Sequence, residues 1–127
     1  MRGFSAQVFL LFSLAYAMPS IGFAQHDRHL ELLRIDYHGC VSARAHRYLA
    51  AGKLPDEIVE QAIETCSNRL ERLSAGILDA FEADAGASAI SQIFAAEKAN
   101  AEIARNSRQA RREAALIASK AMEATRP

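Results

Sequence analysis

The sequence lacks an excess of either charge. Fifteen Lys and Arg stand against fifteen Asp and Glu over 127 residues. That balance removes the broad positive footprint that a nucleic-acid-binding domain presents. Tryptophan is absent, and the six Phe and three Tyr are not interleaved with the basic residues, so a stacking platform for bases is missing too. The common motifs of catalysis are also absent. There is no Cys-x-x-Cys-His for haem, no His-Glu-x-x-His for zinc, no Gly-rich phosphate loop and no Gly-x-Ser-x-Gly elbow. Acid pairs such as Asp56-Glu57 fall where a helix start accounts for them, and Ser and Tyr have no base placed beside them. The sequence therefore predicts a protein that is not an enzyme and that needs no cofactor.

One long apolar run is present, and it lies at the start. Arg2 supplies a basic beginning, Val8 to Ala17 is apolar, and Met18-Pro19-Ser20 is turn-prone. Gly22-Phe23-Ala24 then places small residues at the two positions a signal peptidase reads, with Ala15-Tyr16-Ala17 as a second possible cut. This three-part layout predicts a secretory signal peptide over 1–24 and a single mature domain over 25–127. The run is short of the roughly 20 residues a membrane span needs. No cysteine follows it closely, so a lipid-anchor motif is missing. Without Arg2 the mature chain holds fourteen Lys and Arg against fifteen acids.

The mature chain is organised around Leu30 to Ile77. Leu30, Leu33, Tyr37, Cys40 and Tyr48 step by threes and fours, apart from one slot held by Arg44; so do Val59, Ile63, Cys66, Leu70, Leu73 and Ile77. That spacing keeps side chains on one helix face. Between the rows, Gly52 can leave a helix through a left-handed conformation and Pro55 can open the next. Folding the chain there pairs Leu30 with Ile77, Leu33 with Leu73, Tyr37 with Leu70, Cys40 with Cys66, and Tyr48 with Val59. Every pair of position numbers sums to 106 or 107, the constant sum an antiparallel hairpin requires. Cys40 and Cys66 thus face each other, and in an oxidising compartment they form a structural disulfide. Closing a loop of that length stabilises by about 3 kcal/mol.

The first arm, from about Asp27 to Ala51, carries His26, His29, His38 and His46. They do not converge on one face, so they are expected at the surface. A copper site built from His26 and a free mature N-terminus is a distant alternative. Arg44 is expected to pack its stem in the seam and send its charge to Glu60 or Glu64.

The second arm is expected to run from Pro55 to Ala83 or Ala85. Ile58, Ala62, Leu78 and Phe81 widen its apolar stripe and call for a second neighbour. Between Asp56 and Asp84 it holds eight acids and two bases. Gly86 ends it, and Ser88 can cap an alanine-rich helix over 88–124. Ile90, Ile93 and Phe94 are its best packing residues, Ile103, Leu116, Ile117 and Met122 are sparser, and Asn106-Ser107 is its weakest point. This helix either completes a three-helix bundle or projects as an arm. From Lys98 onward it has seven bases and three acids, with Arg105, Arg108, Arg111 and Arg112 clustered. Such a cluster is expected to be a solvated face that complements the acidic second arm; its alanine-rich apolar side offers little to a membrane surface. The fold class expected is all-α: a stapled antiparallel hairpin with a long third helix.

The segment from Tyr37-His-Gly-Cys40-Val-Ser-Ala-Arg-Ala to Ala62-Ile-Glu-Thr-Cys66, behind a signal peptide, resembles many small exported bacterial helical proteins with one cysteine pair. The resemblance covers about a third of the mature chain. It implies a Gram-negative periplasmic address and carries no activity. In size, helicity and single disulfide the chain also resembles small periplasmic acid-stress chaperones. It departs from them in cysteine spacing and lacks a repeated motif of the helical envelope chaperones. Two functions follow as expectations. The first is a binding module for one envelope partner, using Leu78, Phe81, Ile90 and Phe94 together with Arg105, Arg108 and Arg112. The second is a stress chaperone with many clients.

Overall fold

The computed structural model describes residues 21–124 and 126, with side chains from residue 27 onward. Within them lie four helices and no strand: α1 (Ile21–Ala50), α2 (Pro55–Thr65), α3 (Ser67–Asp84) and α4 (Ala89–Glu123). The fold is all-α. α1 begins before Asp27, inside the segment assigned to the signal peptide. The rest of that segment, and the side chain of His26, lie outside the described residues.

α1 ends on a Schellman motif. Gly52 takes φ 76°, its N–H bonds to the Leu49 carbonyl, and the Lys53 N–H bonds to the Tyr48 carbonyl. Only glycine enters that left-handed region freely. Pro55 opens α2, and the Glu57 carboxylate accepts from the Leu54 N–H at 3.4 Å.

The second arm is two helices rather than one. It is interrupted at Cys66, whose N–H still bonds to the Ala62 carbonyl while its own carbonyl accepts from Arg69 and Leu70. Thr65, Cys66, Ser67 and Asn68 are all weak helix formers, and the joint falls on the residue tied to α1. The disulfide between Cys40 and Cys66 is present, with Cα atoms 6.0 Å apart.

The Cys40–Cys66 layer of the expected pairing is present, and the residues of both rows lie in the core. Leu30, Tyr37, Cys66, Leu73 and Ile77 are buried, and Leu33, Cys40, Tyr48, Val59 and Leu70 pack against them. Gly76 permits the closest approach: a Cβ there would stand 2.7 Å from Leu33 Cδ1 and 3.3 Å from Leu30 Cδ2. Arg69 donates to Asp36 at 2.7 Å in the same register. Val41 and Ala45, outside the expected rows, are also fully buried. Arg44 is half-buried but pairs with neither Glu60 nor Glu64. Ala45 fills the core there, and Glu60 pairs with Arg111 instead.

α4 returns along the hairpin and packs against α1, α2 and α3. Arg34 meets Glu102 and His38 meets Asn106, both 68 positions apart, so α1 and α4 run parallel. Ile58 and Ala62, fully buried, face the neighbour that the wide stripe called for. Ser88 caps α4 through its Oγ, which accepts from the Ser91 N–H at 3.1 Å.

One expectation about α4 fails, and its weakest point holds together. The helix does not divide at Asn106-Ser107, because Asn106 is itself buried and hydrogen-bonded. Nor do Ile90, Ile93 and Phe94 make its packing face: they are 67%, 59% and 57% exposed. Ala95, Ala99, Ala110, Ala114, Ile117 and Ala118 are buried instead. At 3.6 residues per turn these form one face, and the small side chains let the helices come close.

Candidate interaction surface

The interface between α1 and α4 contains a polar layer that follows from residues three, four and seven apart on each helix. Glu102 accepts from Arg34 at 3.4 Å and pairs with Arg105 at 2.7 Å. The Asn106 amide nitrogen donates to the Glu102 carbonyl at 2.9 Å, which leaves its oxygen 3.0 Å from His38 Nε2 as an acceptor. His38 Nε2 is therefore the donor in that bond, and Nδ1 lies 3.3 Å from a Glu113 oxygen, off the line of a hydrogen bond. His38 is only 17% exposed in its side chain, so the expectation of four surface histidines fails at this position. Both ring nitrogens face polar groups of α4. Neither is turned toward a hydroxyl or thiol, as a general base would be.

Tyr37 lies beside His38, with ring centroids 5.3 Å apart. Its hydroxyl is buried without a hydrogen-bond partner. Burial pushes the phenol above its ordinary value, while the Arg111 guanidinium pulls the other way. On the far side of α4, Arg111 pairs with Glu60 of α2. That hydrogen bond holds the Glu60 carboxyl below the usual range and raises Arg111. The expected match between the acidic arm and the basic helix is thus made by this pair.

The residues singled out for binding separate into two groups. The connection 85–88 brings the end of α3 beside the start of α4, so Leu78, Phe81, Ile90 and Phe94 share one end of the molecule. Leu78 and Phe81 are partly buried and pack on the core, whereas Ile90, Ile93 and Phe94 stand out from it. Arg105, Arg108 and Arg112 lie further along α4, Arg105 beginning about 16 Å beyond Phe94 at the rise of an α-helix. All three are exposed. Arg105 pairs with Glu102, and Arg108 and Arg112 have no partner among the described residues.

Sequence reasoning missed the polar layer. Its trace was available as His38 and Arg34 four residues apart on α1, and as Glu102, Asn106 and Glu113 interrupting the alanine face of α4.

Among the described residues no group of three or more His, Cys, Asp or Glu could hold a metal ion. No helix there is long and apolar enough to cross a membrane. The site and fold together define a disulfide-stapled all-α protein with an apolar end and a basic outer face. No family model, curated protein or solved structure matches the chain.

Proposed function

We propose that this chain is an exported, non-enzymatic binding protein of a bacterial periplasm that engages one envelope partner through its apolar end. One observation carries the reading: Ile90, Ile93 and Phe94 are each more than half exposed on a helix whose core contacts are made by alanine. Large apolar side chains grouped at one end mark an interaction surface. The export layout of 1–24 supports the compartment, and a structural disulfide suits an oxidising one. The hydrogen bond between His38 Nε2 and Asn106 supports a structural rather than a catalytic role for the polar layer.

The test is capture of the tagged, oxidised protein from its native envelope, beside a variant carrying Ile90→Asp and Phe94→Asp. The wild type should hold one stoichiometric partner and the variant should lose it. The variant should keep its thermal midpoint, because both positions are exposed and surface changes stay within about 0.5 kcal/mol. Equal capture by both proteins would sink the assignment of the surface. A broad client set that grows under acid or heat would identify a chaperone instead.

A further inference from the structure

Charged residues on α4 and on the second arm recur every seven positions. On α4 they are Lys98, Arg105 and Arg112; on the second arm they are Glu57 and Glu64 of α2 and Glu71 of α3. All six are exposed. On a helix, positions seven apart share a face and rise by about 10.5 Å, so the two rows have nearly the same spacing, with Glu71 carried across the one-residue joint at Cys66. The cationic row lies opposite the α4 face that holds Ala99, Asn106, Ala110 and Ala114. The anionic row likewise lies opposite Ile58, Ala62 and Cys66.

Four of these six are not consumed within the molecule; Arg105 pairs with Glu102, and Glu57 accepts from the Leu54 N–H. Nearer the helix contacts, Glu60 is paired with Arg111, Asp36 with Arg69, and Glu102 with Arg34. By contrast, Lys98, Arg112, Glu64 and Glu71 have no partner among the described residues. We propose that a second copy of this chain docks here, the cationic row of α4 lying on the anionic row of α2 and α3 of its neighbour.

The antiparallel alignment sets Lys98 against Glu71, Arg105 against Glu64, and Arg112 against Glu57. It also matches apolar groups at both ends. Leu116, 69% exposed, comes to the level of Leu54, 66% exposed, and Ile90 and Phe94 come to the level of Leu78. A single exposed ion pair contributes at most about 1 kcal/mol. The contact therefore rests on three pairs in register with apolar flanks, and it is weak and sensitive to salt. The rows are two separate patches, so each copy offers one row to each of two neighbours. Such a head-to-tail contact closes into a ring or extends as a chain. This inference goes beyond the proposed partner and does not depend on it.

The test is sedimentation velocity of the oxidised protein over a concentration series at low and high ionic strength. Mass above that of one chain should appear at low salt, grow with concentration, and fall back to one chain at about 0.5 M NaCl, where screening reaches a few ångströms. Two variants, K98E/R112E and E64K/E71K, alter only partnerless exposed residues. Each should run as a single chain on its own at low salt, and the two mixed in equal amounts should associate again. Wild type that remains a single chain at every concentration overturns the proposal, as does association indifferent to salt. A mixture that fails to associate where wild type does overturns the pairing of the rows. Wild type that binds phosphatidylglycerol vesicles without self-association would assign the cationic row to a lipid surface and also overturn it. The salt series on wild type decides the matter should either variant fail to fold.

Discussion

Tyr37 and His38 are neighbours on α1 with different arrangements. His38 is hydrogen-bonded to Asn106 of α4 through Nε2 and leaves Nδ1 beside Glu113 without a bond, while the Tyr37 hydroxyl is buried with none bonded to it. A buried hydroxyl without a partner adds little to stability, and removing it exposes nothing. Tyr37→Phe should therefore leave the urea midpoint at pH 7 within about 1 kcal/mol of wild type. At high pH the variant should differ. Burial raises the phenol above its ordinary value of 10.0, so folding favours the protonated form. The stability this confers is complete below the unfolded value and is lost as pH rises through the folded one. Urea midpoints measured from pH 8 to 11 should fall more steeply for wild type than for Tyr37→Phe, and equal slopes would show that Tyr37 does not carry the alkaline loss. The apolar row exposed Tyr37 as a core residue in the sequence. Its partnerless hydroxyl was not legible, because it depends on what α4 brings opposite.

At the scale of the helices, two glycines inside helices have contrary roles. A Cβ on Gly39 would meet nothing within 4 Å, whereas one on Gly76 would stand 2.7 Å from Leu33. Gly39→Ala should raise stability by about 0.5–1 kcal/mol through helix propensity alone. Gly76→Ala should show no such gain, because Leu33 must move to admit the methyl; urea titrations of the two variants check the contrast. Sequence periodicity showed the helices but not this difference. It also overlooked the joint at Cys66, since the apolar spacing of Val59, Ile63, Cys66, Leu70 and Leu73 continues across it while the backbone does not. Patterning reports which face is buried. It is blind to a one-residue interruption that leaves the face in place.

For the whole molecule, the layer at Cys40 and Cys66 was legible because a turn and a cysteine pair point to it independently of the apolar rows. Replacing Cys40 and Cys66 together by Ala should lower stability by about 2–4 kcal/mol, read as a shift in the denaturation midpoint, and the oxidised protein should take up no thiol label. The path of α4 was less legible. Ile90, Ile93 and Phe94 drew attention as core formers, yet alanine supplies the contact, and alanine carries little apolar signal. This has a consequence for how the sequence can drift. In α4 the smallest side chains are the least replaceable, since any growth at Ala99, Ala110 or Ala114 pushes helices apart. The fold leaves the largest, at positions 90, 93, 94 and 116, free to change. Restricted variation at Ile90 or Phe94 among descendants of this chain would therefore be a record of binding, because packing imposes no limit there.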